Sequence, residues 1–194
     1  MNSWQISPDD PVLDWVVPFV RSDIGFIDDP LGRISLNLFC AGCEHNCLGC
    51  CNPELQDPNA GKATSVRDLI VVTIALLLPK LVESIVFLGG DWGLYPEQTK
   101  LLARAINLIS TKERRYGTVL YTGYGFADLD RSLTEAFEIL VTGPYRQDLP
   151  GIFPASTNQQ VYINGVSVEA STLPLYATTL QKRGERDKHA QHEN

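Results

Sequence analysis

The chain lacks any apolar run of the roughly eighteen residues that a membrane-spanning helix requires. Residues 1–11 are polar and acidic, without the basic flank and apolar stretch of a signal peptide. The chain also lacks a surplus of positive charge, since its net charge is −7, and such a chain repels phosphate backbones. These absences predict a cytoplasmic protein that binds neither membranes nor nucleic acids.

The five cysteines lack the pattern of a disulfide framework, in which an even number is spread along a short secreted chain. Four of them lie within Cys43–Cys51, which indicates a reducing compartment and a metal. With 194 residues, 44% of them hydrophobic, the chain is long enough to bury one good core, so we expect one domain. Residues 181–194 contain no apolar residue except Ala190 and are predicted to be a disordered tail.

Short apolar segments alternate with helical patterns along most of the chain. Strands are predicted at Ile34–Cys40, Ser84–Leu88, Thr118–Tyr121 and Ile139–Val141, and helices at Leu69–Leu78, from Pro96 to Ile109, and at Asp128–Glu138. The first helix, which starts near Ser65, is expected to be buried on most sides. This order predicts an α/β fold with a parallel sheet, either open or curled into part of a (βα) barrel. Apolar residues on both sides of Asn164–Gly165 predict an appended C-terminal β-hairpin.

Four loops follow the carboxyl ends of the predicted parallel strands. They are the cysteine segment, Gly89–Gly90–Asp91, Thr122–Gly123–Tyr124 and Gly143–Pro144–Tyr145. Because α/β folds bind ligands at this edge, we expect these loops to surround one pocket. Gly89 and Gly90 would let a ligand lie against the backbone, Asp91 could accept from an ammonium group, and Thr122 could reach a ribose. Each motif alone is also typical of a turn that ends a strand.

Cys43, Cys47 and Cys50 stand at a C-x3-C-x2-C spacing. A cuboidal iron–sulfur cluster normally takes four cysteines, so three of them indicate a cluster with one iron reserved for another ligand. The alternative is a structural zinc site completed by Cys40. Zinc ribbons separate their cysteine pairs by about 15–20 residues, whereas only residues 44–46 separate Cys43 from Cys47 here. The spacing favours the iron–sulfur site.

Other side chains near these cysteines have simpler interpretations. Cys40 is in phase with the apolar residues of the first strand and is expected to point into the core. Cys51 directly follows a proposed ligand and is expected to be its neighbour, because adjacent residues of an extended chain project to opposite sides. His45 is expected to face solvent or to donate a hydrogen bond to cluster sulfur.

Taken together, these motifs resemble the radical S-adenosylmethionine superfamily, and within it the small activating enzymes of anaerobic (class III) ribonucleoside-triphosphate reductases. The resemblance extends from Gly32 to Val161. Its motifs are Gly42–Asn52 around the cysteines, Leu88–Asp91 with Tyr95–Pro96 beyond it, Tyr121–Tyr124, Ile139–Tyr145, Gln147–Leu149 and Ser156–Gln159. Residues 1–30 have no counterpart and are predicted to be an N-terminal extension of a single radical S-adenosylmethionine domain over residues 1–180.

The resemblance implies a [4Fe–4S] cluster on Cys43, Cys47 and Cys50, with S-adenosylmethionine chelating the open iron. Reductive cleavage of this cofactor would lead to a glycyl radical on the partner reductase, with electrons from a low-potential donor such as flavodoxin. The cofactor contacts that it implies are the backbone of Gly49, Cys50 and Cys51, the segment Gly89, Gly90 and Asp91 for the amino acid end, and Thr122 for the ribose.

The chain departs from the family at Trp92 and Gly93, where a single proline is expected, and at Cys51, which replaces an aromatic residue. Two alternatives to this function remain. One is the activation of another glycyl-radical enzyme, such as a formate acetyltransferase. The other is a non-catalytic zinc or iron–sulfur module.

Overall fold

The computed structural model describes residues 6–77, 81–111 and 114–177, and it shows a mixed α/β fold around an eight-stranded sheet. The strands are β1 (Val16–Gly25), β2 (Ser35–Cys40), β3 (Lys62–Ser65), β4 (Ser84–Gly89), β5 (Gly117–Thr122), β6 (Ile139–Thr142), β7 (Gln160–Ile163) and β8 (Val166–Val168). The longer helices are α1 (Val66–Leu77) and α2 (Pro96–Ile109), and α3 (Arg131–Thr134) is a single turn. The predicted tail, residues 181–194, lies outside the described residues.

The sheet has the strand order β3-β1-β2-β4-β5-β6-β7-β8. Its centre, β2-β4-β5-β6, is parallel, and β7 and β8 form an antiparallel hairpin beside β6. The predicted parallel core and hairpin are therefore confirmed, and Asn164 and Gly165 take the positive φ angles of a tight hairpin turn. Within the described residues the sheet is open, with β3 and β8 at its edges, so a barrel is not observed.

Two strands that the sequence did not reveal, β1 and β3, extend the sheet on the side of β2. Both pair antiparallel, β1 with β2 and β3 with β1. The alternation of buried and exposed side chains along β1 is interrupted, because the register of β1 against β2 shifts between Phe19 and Arg21. Pro18 also breaks the apolar pattern of a strand. Part of the predicted N-terminal extension is thus a strand of the sheet.

The first predicted helix is confirmed as α1, but its predicted burial is wrong. Ser65 caps the helix, since the Asp68 amide donates to its hydroxyl at 3.1 Å and this hydroxyl donates back to the Asp68 carboxylate at 2.8 Å. Val66, Leu69 and the rest of one stripe are buried. Ile70 is partly buried, whereas Val71, Val72, Ile74 and Leu76 are exposed. The helix packs on the sheet through a narrow face only, so hydrophobicity alone overestimated its burial.

The third predicted helix is much shorter than the expected Asp128–Glu138. Asp130 caps α3 by accepting from the Ser132 amide at 2.8 Å, and the helix ends after one turn. Beyond it, the Ala136 carbonyl accepts from the side chains of Asn107 and Thr118 instead of continuing a helix. Tertiary hydrogen bonds therefore override the helical propensity of this polar stretch.

The central strands are covered on both faces, as in other parallel sheets. One core cluster lies under α1 and α2 and includes Leu36, Phe87 and Trp92, while the opposite cluster includes Val119 and Val141. Among the residues described, none of the helices has the length and apolar character needed to cross a membrane. The two-sided core holds the ends of β2, β4, β5 and β6 in fixed positions.

Candidate active site

The cysteine loop (residues 41–52) leaves β2 beside the segment that follows β4. The Gly90 amide donates to the Cys40 carbonyl at 2.8 Å, and the Asp91 amide donates to the Gly42 carbonyl at 2.7 Å. These bonds continue the parallel pairing beyond the strand ends. The start of the cysteine loop is therefore aligned with the glycine-rich segment by the sheet itself.

The loops after β5 and β6 meet the same edge. The Gly143 amide donates to the Tyr124 carbonyl at 2.9 Å. A Cβ added to Gly49 of the cysteine loop would lie 2.6 Å from the Gln147 side-chain oxygen, so the loop after β6 reaches the cysteines. All four loops thus come together, as the sequence predicted. Gln147 belongs to one of the sequence motifs, but the motif gives no sign of its proximity to Gly49.

The three predicted metal ligands are free thiols, each partly buried. Burial, and then the negative charge of Asp91 and of the other two thiols, raises the pKa of the Cys43 thiol. Because neighbouring thiolates repel one another, a cationic metal centre would relieve this repulsion. Cys47 and Cys50 are linked by the turn in which the Cys50 amide donates to the Cys47 carbonyl at 3.2 Å.

The other two cysteines differ in exposure. Cys40 is fully buried, and this burial raises the pKa of its thiol well above the ordinary value, which confirms its interpretation as a core residue. Cys51 is exposed, and the Asn52 side-chain amide lies 3.5 Å from its sulfur.

Asp91 lies at the centre of the hydrogen-bond network of this edge. Its side chain is 2% exposed. Oδ1 accepts from the Gly93 amide at 2.8 Å, and Oδ2 accepts from the Gly123 amide at 2.8 Å. The Thr122 hydroxyl donates to Oδ1 at 2.8 Å and lies 3.1 Å from Oδ2. Asp91 therefore ties the end of β4 to the end of β5.

His45 supplies a further contact of Asp91, and this contact comes from the cysteine loop. Its Nε2 atom lies 2.8 Å from Asp91 Oδ2. This hydrogen bond, opposed by partial burial, raises the pKa of the imidazole. The expectation that His45 faces solvent is wrong, because its side chain is only 18% exposed. The contact has no signal in the sequence because the two residues belong to different loops, 46 positions apart.

Ligand atoms of Cys43, His45 and Asp91 all lie within 4.8 Å of one another. In the part of the chain that the structure describes, Cys47 and Cys50 lie outside this compact group. A multi-iron cluster holds its ligands at separate corners and spaces them more widely than a single ion does. Three free thiols on one loop, without a disulfide among the described residues, are thus a donor set that fits such a cluster.

Gly89 and Gly90 have a packing role at this edge. A Cβ on Gly90 would overlap the Gly42 carbonyl oxygen and lie 2.9 Å from that of Leu55, and one on Gly89 would lie 2.5 Å from that of Cys40. Neither glycine can be enlarged without moving the backbone of the cysteine loop or its neighbour.

We expect the substitution Gly90→Ala to lower the free energy of unfolding by about 1–3 kcal/mol, as overpacking does, and to reduce iron retention by displacing the cysteine loop. Chemical denaturation and iron analysis would measure the two effects. Gly165→Ala is the matched control: its Cβ meets nothing within 4 Å, so only its positive φ costs about 1 kcal/mol. Equal iron loss in both variants would contradict this explanation.

Residues 32–162 match the 4Fe-4S single cluster domain family, and the chain belongs to that family. It is also similar to the anaerobic ribonucleoside-triphosphate reductase-activating protein of Enterobacteria phage T4, with 26% identity over 143 residues that cover 72% of this chain and 88% of the phage protein. The resemblance to radical S-adenosylmethionine activating enzymes drawn from the sequence is confirmed.

Two further similarities are more limited. The 7-carboxy-7-deazaguanine synthase of Methanothermobacter thermautotrophicus is 36% identical over 67 residues, which cover 34% of this chain and 27% of that protein. The crystal structure of QueE from Escherichia coli superposes with a TM-score of 0.35 at 12% identity, covering 64% of this chain and 69% of that chain.

Proposed function

We propose that the protein is a radical S-adenosylmethionine activase that generates a glycyl radical on an anaerobic ribonucleoside-triphosphate reductase. The observation that carries the proposal is the meeting of the three-cysteine loop with Asp91 and Thr122 at one sheet edge. Membership of the 4Fe-4S single cluster domain family supports the cluster, and the similarity to the phage T4 reductase-activating protein supports the partner class.

We assign Cys43, Cys47 and Cys50 as the ligands of the cluster. We place S-adenosylmethionine beside them, at the sheet edge where the four loops meet. When bound, the cluster and S-adenosylmethionine would supply radical chemistry: one electron from an external low-potential donor, passed through the cluster to the sulfonium, would make the cofactor able to take a hydrogen atom from a glycine of the partner. The backbone of Gly49–Cys51 and of Gly89–Gly90 lines this edge. The chain itself orients these groups and limits access of water to them.

Asp91 and Thr122 would act on the two ends of S-adenosylmethionine. We assign the Asp91 carboxylate, which protein hydrogen bonds hold in place at this edge, the negative charge that would attract the ammonium group of S-adenosylmethionine. The Thr122 hydroxyl donates to Asp91, and its oxygen keeps a lone pair that can accept from a ribose hydroxyl.

Anaerobic reconstitution tests this function. The loaded protein, with dithionite or a low-potential donor such as flavodoxin, should convert S-adenosylmethionine to methionine and 5′-deoxyadenosine. Addition of the candidate reductase should then produce the EPR doublet of a glycyl radical on that partner. A fully loaded cluster that cleaves no cofactor would refute the proposal.

Two other outcomes identify the alternatives. A doublet on a formate acetyltransferase, but not on the reductase, would assign the protein to a different glycyl-radical enzyme. One tightly bound zinc without sulfide would indicate a structural module instead of an enzyme.

A further inference from the structure

His45 stands between two of the proposed cluster ligands in the chain, yet its ring is directed at a different loop. Its Nε2 atom lies 2.8 Å from Asp91 Oδ2. Neutral imidazole can donate from this nitrogen. The other donors to Asp91, from residues 93, 122 and 123, lie in the loop after β4, at the end of β5 and in the loop after β5. His45 is therefore the side chain through which the cysteine loop joins this network.

The ring of His45 packs closely against neighbouring residues. A Cβ on Gly123 would lie 2.5 Å from Nε2 and 2.7 Å from Cγ, so the ring fits only because residue 123 is glycine. Tyr124 packs edge-on against the ring, with the centroids 4.7 Å apart and the planes at 75°. A ring confined on these sides holds one orientation, which is what a positioning contact requires.

This contact lies beside two groups to which the proposed function assigns opposite ends of the cofactor site. Cys43 is a proposed cluster ligand, and Asp91 is the proposed charge partner of the ammonium group. Their ligand atoms lie within 4.8 Å of each other and of His45. Without the His45 contact, the cysteine loop beyond Cys43 would lose its side-chain link to Asp91.

We infer that His45 is a positioning residue that holds the cysteine loop against Asp91, and thereby sets the distance between the cluster and the cofactor's amino acid end. The effect of His45 on cofactor binding rests on the proposed function. The docking of the loop itself is independent of that function, because it occurs in the protein alone.

The experiment compares His45→Ala, His45→Gln and His45→Asn with the wild type in the full chain. In the cluster-free protein, hydrogen–deuterium exchange of peptides spanning residues 41–52 should be faster in His45→Ala and His45→Asn. It should return towards wild type in His45→Gln, whose amide nitrogen takes the place of Nε2, whereas asparagine reaches only the position of Nδ1. In the loaded protein, the dissociation constant for S-adenosylmethionine should rise about ten- to a hundredfold in His45→Ala, with iron content unchanged.

Two controls separate this role from general damage to the loop. Glu44→Ala truncates an exposed neighbour of His45 on the same loop. The exchange rate of residues 41–52 and the dissociation constant for S-adenosylmethionine should both stay at their wild-type values in this variant. Gly123→Ala should reproduce the His45→Ala effects from the opposite loop, because its Cβ displaces the ring.

Unchanged exchange in His45→Ala would overturn the inference. So would unchanged or tighter cofactor binding, because the ring would then only fill space or compete for Asp91. If the wild type neither binds nor cleaves S-adenosylmethionine, the proposed function fails, while the exchange measurement still decides whether His45 docks the loop.

Discussion

Replacing Cys47 with serine should remove the iron–sulfur cluster while leaving the chain folded. Cys43, Cys47 and Cys50 are free thiols of one loop, and a cluster with three protein ligands does not tolerate the loss of one. We expect about four irons and four sulfides per reconstituted wild-type chain, near-background iron in each of the three serine variants, and no cofactor cleavage by any of them.

Cys51→Ser is the matched control, because Cys51 is an exposed thiol on the same loop. It should retain its iron. If Cys51→Ser loses its iron and Cys47→Ser retains it, then Cys51 is a cluster ligand and Cys47 is not. Far-UV circular dichroism of every variant would show whether the fold is retained.

Trp92→Ala should produce the largest loss of stability of the substitutions considered. Trp92 is fully buried and packs edge-on against Phe87 with the ring centroids 5.0 Å apart. Its indole Nε1 lies 3.1 Å from the Leu38 carbonyl and 2.9 Å from that of Leu88, so it donates near the ends of both β2 and β4. Truncation of a buried tryptophan costs about 3–5 kcal/mol, and here it would also loosen the strand ends that carry the site.

Urea unfolding of the cluster-free protein would measure this loss. Trp92→Phe keeps most of the apolar volume but removes the indole donor, so we expect an intermediate loss. Trp15→Ala is the control for a tryptophan that is 48% exposed, and its effect should be the smallest of the three. Equal losses of unfolding free energy in Trp15→Ala and Trp92→Ala would contradict the role of Trp92 in holding the ends of β2 and β4.

Trp92 also illustrates what the sequence could not reveal. With Gly93, it stands where the resemblance leads us to expect a single proline, and nothing in the local pattern indicates that its ring turns back beneath β2 and β4. The same limit applies to His45, whose contact with Asp91 joins residues 46 positions apart. Long-range side-chain contacts have no periodic signature, so only the folded chain shows them.

The central strands could be predicted because each is a short apolar run that ends in a polar or glycine-rich turn. β2, β4, β5 and β6 confirm this, and the parallel order followed from the helical segments between them. The exposed apolar side of α1 could not be predicted, since hydrophobicity does not say how much of a helix the neighbouring elements cover. The disordered tail, the domain limits and the cofactor contacts remain predictions.

The backbone around the cysteine loop has a consequence for metal loading. The Gly42 amide donates to the Leu55 carbonyl at 2.8 Å, and the Cys43 amide donates to that of Gln56 at 3.1 Å, so the ends of the loop are already joined by the fold. Most of the entropic cost of closing the loop is therefore met when the sheet forms, before any metal arrives. Unlike a zinc finger, this chain should fold first and acquire its metal afterwards, so oxidative loss of the cluster should be reversible by anaerobic reconstitution.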